Sequence, residues 1–187
     1  MPHLIQFCNQ LSQLTEEATS DLTEILKTKT IQKGDYLLKS GQVCKHLYYI
    51  DQGLAKTFFY KDDKEFIMRF FDEGLMFTVL DSYVTQTPTH YMIMALEPTA
   101  ITYVSHDDME ALCKKHHCIE RFMRKLVSIA SVNMIGRISE MLEENATERY
   151  NNFVSKNNSL LQRISLGDLA SYIGITQVSL SRIRTKR

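Results

Sequence analysis

The residues best suited to chemistry lie at the C-terminal end of this 187-residue sequence. Thr176, Gln177, Ser179, Ser181 and Arg182 bring hydroxyl, amide and guanidinium groups into one short stretch. Gln can pair bidentately with adenine and Arg with guanine, so this is a set that could read base edges in double-stranded DNA. Arg184, Lys186 and Arg187 would neutralise phosphates beside it. The segment from Arg163 to Arg187 holds five basic residues and one acid, Asp168, and stands at +4 in a chain of zero net charge, which leaves −4 for the remainder. Such asymmetry points a polyanion towards this end.

Other chemistry finds less support. Cys113-Lys114-Lys115-His116-His117-Cys118 contains zinc-type ligands, but zinc sites usually space a Cys pair by two to four residues and set the second pair far away. Donors crowded into six consecutive residues at a helix junction cannot all face one ion, so no metal and no cofactor is expected. Asp62-Asp63 and Asp107-Asp108 fit turns and helix starts better than acid–base catalysis. With no Gly-rich phosphate loop and no nucleophile elbow, an enzyme is not expected. Four scattered cysteines and an N-terminus without a basic region and long apolar run are the pattern of a cytoplasmic protein with reduced thiols. No stretch approaches the roughly 20 apolar residues of a membrane helix.

The elements that must position the C-terminal set can be read from patterning. Ser165 is a helix N-cap with Asp168 three residues on, near the positive end of the helix dipole. Leu166, Leu169, Ala170 and Ile173 form that helix's inner face. Gly174 permits the left-handed ending, Thr176 caps again, and a second helix starting at Val178 or Ser179 buries Leu180 and Ile183. Helix, glycine corner, helix is the spacing of a helix-turn-helix, whose second helix enters the major groove. An ordinary helical hairpin has the same spacing, and the basic second helix favours DNA binding.

Upstream, residues 1–28 read as two short helices, with Thr15 and Ser20-Asp21 as starts. Residues 29–104 read as short strands at Ile31, 36–38, 47–50, 55–60, 66–71, 91–96 and 100–104, with turns at Gly34-Asp35, Ser40-Gly41, Asp51–Gly53, 61–64 and 72–74. No space is left between them for crossover helices, so a sandwich or barrel is expected rather than a parallel sheet. A helix starts near Asp107. A long one follows from Ile119 to about Asn152, and its wide apolar face could cover its own domain on one side and a partner helix on the other. A homodimer through this helix is one reading and a single core helix the other. Lys156-Asn157-Asn158-Ser159 is a polar break. The expected organisation is a sensor domain at 1–115, a connecting and dimerising helix at 116–134, and a DNA-binding domain at 135–187.

Asp168-Leu169-Ala170-Ser171-Tyr172-Ile173-Gly174-Ile175-Thr176, continuing to Leu180-Ser181-Arg182-Ile183-Arg184, resembles the helix-turn-helix of the Crp/Fnr superfamily of bacterial regulators, and more closely its compact Bacteroidetes-type members. Ala146-Thr147-Glu148-Arg149-Tyr150 looks like the segment that joins the long helix to this motif. Residues 33–41 and Ile50-Asp51-Gln52-Gly53 are similar to the opening of the cyclic-nucleotide-binding β-roll. The resemblance spans nearly the whole chain. It implies an α+β protein: an N-terminal double-stranded β-helix, or β-roll, with flanking helices, a long connecting helix, and a C-terminal winged-helix-type helix-turn-helix. It further implies a homodimer and a small-molecule effector. Arg182 matches the family's recognition-helix arginine. Gln177 and Val178 stand where the best-known members carry Arg and Glu, so a different DNA sequence should be read. Arg187 ends the sequence directly after the recognition helix, leaving a final hairpin wing unaccounted for.

The family's cyclic AMP binders hold phosphate with a Gly-Glu pair and an Arg followed by Ser or Thr. Here the stretches read Phe77-Thr78-Val79-Leu80-Asp81-Ser82 and Thr87-Pro88-Thr89-His90-Tyr91, with no Arg between Arg69 and Arg121. An Asp81 carboxylate without a compensating Arg disfavours phosphate, so the effector is expected not to be cyclic AMP. Phe77, Tyr83, Thr89, Tyr91 and Phe122 could line a pocket for another small ligand, or the aromatics could simply be core. A β-roll sensor or scaffold that binds no DNA is the alternative to the regulator.

Overall fold

The computed structural model describes residues 2–185. The chain starts with α1 (Pro2–Leu11) and α2 (Glu16–Ile25) and continues through β1 (Lys27–Ile31), β2 (Tyr36–Leu38), β3 (His46–Gln52), β4 (Ala55–Lys61), β5 (Lys64–Phe71) and β6 (Met76–Phe77). Then come α3 (Leu80–Thr85), β7 (Met92–Ala95), β8 (Thr99–Ser105), α4 (His106–Lys115) and α5 (His117–Glu143). The C-terminal unit is α6 (Ala146–Lys156), a 3-10 turn (Asn158–Gln162), α7 (Leu166–Ile173) and α8 (Gln177–Thr185).

The strands form two four-stranded antiparallel sheets, ordered β1-β8-β3-β6 and β2-β7-β4-β5. The α+β class and the β-roll expected from the sequence are present. β3 is buried from Leu47 to Ile50 because both its faces are covered. Leu47 and Tyr49 pack under α1, α2, α4 and α5, while Tyr48 and Ile50 face the roll interior with Phe71, Phe77 and Ile93. On the second sheet Leu54, Phe58, Ile67 and Phe70 turn outward onto Tyr150, Phe153, Leu169, Ile173 and Leu180 of the C-terminal unit. The order of layers is therefore helices, sheet, sheet, helices, with three cores between them.

Local chemistry sets the turns. The β4–β5 hairpin turns through Asp62 and Asp63, both at positive φ (50° and 58°), the geometry of a two-residue hairpin loop whose twist suits the strands. Gly53 has φ +104°, and a Cβ there would lie 2.6 Å from Thr99 Oγ1 and 2.7 Å from the Pro98 carbonyl, so only glycine fits. Thr15 caps α2, accepting from the Ala18 N–H at 3.2 Å. The start expected at Ser20-Asp21 is wrong: both lie inside α2, and Asp21 uses its carboxylate on Lys115 and His116 instead.

Three differences from the sequence reading concern the middle of the chain. The long helix does not run to Asn152. It ends at Glu143, and Asn145 starts α6 with a capping box in which its side chain accepts from Thr147 and Glu148 N–H groups and Glu148 accepts from the Asn145 N–H. The boundary expected at 134–135 falls inside α5, which is continuous from His117 to Glu143. β6 and α3 were not anticipated, because each is too short to show a period. Among the described residues no helix is long and apolar enough to cross a membrane.

Candidate nucleic-acid interface and ligand cavity

α7 and α8 form a helix-turn-helix. Ser165 caps α7, accepting from the Asp168 N–H at 3.0 Å, and Asp168 closes the box on the Ser165 N–H. Gly174 ends α7 at φ +81°, and the N–H groups of Gly174 and Ile175 both donate to the Ala170 carbonyl. α8 is held by Leu180, which is fully buried, with Ile183 beside it.

The residues expected from the sequence to read bases divide on this frame. Ser181, Arg182 and Arg184 stand on the exposed side of α8, and neither arginine has an ion-pair partner among the described residues. Thr176 and Ser179 are spent on the cap: Thr176 Oγ1 accepts from the Ser179 N–H at 3.2 Å and donates to Ser179 Oγ at 3.0 Å. Gln177 folds its amide over Gly167, where a Cβ would meet Gln177 Nε2 at 2.5 Å. Lys186 and Arg187 lie outside the described residues.

The unit is clamped to the β-roll. Lys56, on β4, has a buried side chain and bonds Asp168 and Glu65, each at 2.7 Å, with the Phe58 ring 4.7 Å away. Burial alone would push the Lys56 ammonium down, but the two carboxylates outweigh it and its pKa is raised. Arg163 forks onto Glu73 (2.8 and 2.9 Å) and reaches Glu97 at 2.5 Å. The Arg163 guanidinium holds Glu73 down at about 2, against an opposing desolvation effect.

A cavity of about 800 Å³ lies between the β-roll and α5. Of the five residues named from the sequence for a ligand pocket, Phe77, Tyr83 and Tyr91 line it. Thr89 and Phe122 do not: Thr89 is buried in the turn before β7, and Phe122 is packed edge-on to Phe7 in the helical core. The cavity also contains side chains that sequence reasoning missed, among them Thr57, Arg69, Arg124 and Arg137. So the premise that no arginine accompanies Asp81 needs correcting: the cavity wall carries three arginines alongside Asp81, Glu110 and Glu120. Arg69 arrives by a register shift. Thr57 pairs with Arg69 but Phe58 with Ile67, so Met68 is an extra residue that turns Arg69 to the side of Thr57 and Phe71. No sequence signal marks that bulge.

Arg137 joins the two sites. It lines the cavity, and its guanidinium lies 4.0 Å from the Tyr172 ring centroid and donates to the Tyr172 carbonyl on α7. Arg149 likewise donates to the Ile173 carbonyl at 2.9 Å.

The Cys113–Cys118 run makes no shared site. Cys113 and Cys118 pack against the helical core, and burial pushes the Cys113 thiol up to about 11. His116 instead meets Asp21 at 2.6 Å. Glu17, Asp21 and His116 do place ligand-type atoms within 4.8 Å of one another. The Lys115 ammonium bonds both carboxylates there, at 3.1 and 2.6 Å, and supplies the positive charge itself.

Residues 28–116 match the family model of the cyclic nucleotide-binding domain. No curated protein matches the sequence. Among solved structures, FixK2 from Bradyrhizobium japonicum is similar with a TM-score of 0.77 at 14% identity, covering 87% of this chain and 84% of its own. A protein described as a Crp/Fnr-family transcriptional regulator from Eubacterium rectale gives 0.74 at 15% identity, over 91% and 82%. The c-di-GMP-responsive global regulator CLP of Xanthomonas campestris gives 0.73 at 12%, over 92% and 91%. At these identities the likeness is one of fold, and it does not single out the Bacteroidetes-type subgroup.

Proposed function

We propose, from the premise of a cyclic nucleotide-binding domain over residues 28–116 inside a chain with the fold of the Crp/Fnr regulators, that this protein is a DNA-binding transcription regulator controlled by a small effector other than cyclic AMP, since residues 77–82 and 87–91 lack the Gly-Glu and Arg-Ser/Thr pairs that hold the phosphate in the family's cyclic AMP binders. The observation that carries the reading is the outer side of α8. Ser181, Arg182 and Arg184 are exposed there without acidic partners among the described residues, while Leu180 anchors the helix from behind. A cationic helix supported in this way suits the major groove.

The protein acts as a homodimer through α5. Val132, Ile135, Ile138 and Leu142 are exposed along that helix, a hydrophobic stripe that a second copy would cover. The effector occupies the cavity beside the same helix. Its signal reaches the helix-turn-helix through Arg137, which touches both. Such coupling requires two arrangements of α5 against α7 that effector and DNA favour unequally.

The test is DNA binding across a salt series on genomic fragments. A regulator selects a palindrome-like site and loses affinity steeply with salt. Arg182→Ala should weaken binding to the selected site by roughly 1–3 kcal/mol and relax selection. Equal binding of every fragment by wild type and variant would leave the β-roll as a sensor or scaffold without a DNA target.

A further inference from the structure

The cavity has a chemistry of its own. Two of its lining side chains are buried with unpartnered hydroxyls: Thr57 is 8% exposed and Tyr83 is 5% exposed, and neither oxygen has a hydrogen-bond partner among the described residues. A buried hydroxyl left without a partner is costly, and since both oxygens are sealed just behind the cavity surface, a ligand acceptor would satisfy them as the flexible lining side chains give way. Tyr83 stays protonated, since burial raises its pKa and nearby Glu110 adds to that, so it acts as a donor. Thr57 is directly opposite Arg69 across the β4–β5 ladder. The Arg69 guanidinium rests 5.5 Å from the Phe71 ring centroid and has no carboxylate partner among the described residues.

The rest of the wall is mainly hydrocarbon and thioether. Met68, Met76, Met123 and Met134 contribute, and methionine adapts its shape to irregular apolar guests. Asp81, Glu110 and Glu120 add carboxylates elsewhere on the wall, which oppose a second negative charge. The wall's three arginines, Arg69, Arg124 and Arg137, are matched by its three carboxylates, and Arg137 is already engaged by Glu140 and the Tyr172 carbonyl, so a compact ligand of a single negative charge suits it. A planar carboxylate fits one guanidinium fork and a neighbouring hydroxyl.

We propose that this cavity takes a small monocarboxylate with a hydrocarbon body, its carboxylate on Arg69 and Thr57 and its body among the methionines. The proposal rests on the effector reading above and gives that effector a chemical class. Tyr83 offers a further donor for any oxygen on the ligand.

Isothermal titration of the full-length protein with decanoate, decanol and cyclic AMP tests it. Decanoate should bind at least about tenfold tighter than decanol, the difference being the charge-assisted bonds. Arg69→Met should remove most of that preference, Arg69→Lys should restore part of it, and Thr57→Val should reduce decanoate affinity without changing decanol. Equal affinity for acid and alcohol, a preference indifferent to Arg69→Met and Thr57→Val, no binding of decanoate, or tighter binding of cyclic AMP would each overturn the proposal. Tight cyclic AMP would leave a DNA-binding regulator but would also overturn the reading that its effector is not cyclic AMP. Failure to bind DNA would remove the regulator and leave the titration result standing.

Discussion

At the scale of single residues, position decides which of several similar side chains can act. Arg163, Arg182 and Arg184 were grouped together as positive charge at the C-terminal end. Arg163 is bound to Glu73 and Glu97, whereas Arg182 and Arg184 are exposed and have no ion-pair partner among the described residues. Glu73 reports on the first of these. Its folded pKa lies below its unfolded value, so its contribution to stability is full above about pH 4.3 and is lost as pH falls towards about 2. In Arg163→Gln the Glu73 carboxyl should titrate near the ordinary value of about 4.3, measured by carbon-detected NMR. A carboxyl that stays near 2 would mean that the guanidinium is not what holds it down. Ser165, Gly174 and Thr176 were legible as caps and corner because such local bonds span only three or four residues. Arg69 was not legible as a cavity residue, since its facing depends on a bulge that pairing between two strands creates.

At the scale of elements, α5 carries the clearest prediction. The apolar period gave the helix and its wide face, and the structure separates that face into two. Ile119 and Phe122 are buried in the chain's own core, while Val132, Ile135, Ile138 and Leu142 are left bare. If the proposed dimer forms through this face, Ile135→Asp should shift it towards monomer in sedimentation equilibrium by one to a few orders of magnitude in Kd, because the dimer would have to bury the carboxylate. An unchanged dimer would place the interface elsewhere. The end of α5 was misread for a definable reason. The apolar rhythm continues through Tyr150 and Phe153, and the stop is a capping box at Asn145 and Glu148 whose residues look unremarkable in a polar stretch.

At the scale of the whole molecule, the helix-turn-helix is part of the same packed body as the roll. Its inner face is shared with Phe58, Ile67 and Phe70, and the Lys56 ammonium bridges Asp168 and Glu65 at the seam. Lys56→Met should cost roughly 3 kcal/mol in urea unfolding, since two partly buried carboxylates lose their counter-charge. Adding Glu65→Gln and Asp168→Asn should recover much of it, because an uncharged seam has nothing left to compensate. If the single variant is neutral, the clamp contributes nothing to holding the unit on the roll.

The sequence by itself determined the strands other than the two-residue β6, the turns between them, the helix-turn-helix and the cationic second helix. Each of these rests on side-chain period and on hydrogen bonds between near neighbours, which are local. The docking of that motif on β4 and β5, the membership of the cavity and the availability of each arginine were decided only by tertiary structure. Those features depend on which residues meet across long separations: Lys56 with Asp168, Glu73 with Arg163, Arg137 with Tyr172. No pattern along the chain encodes such pairs, because their energies exist only once the layers have closed on one another.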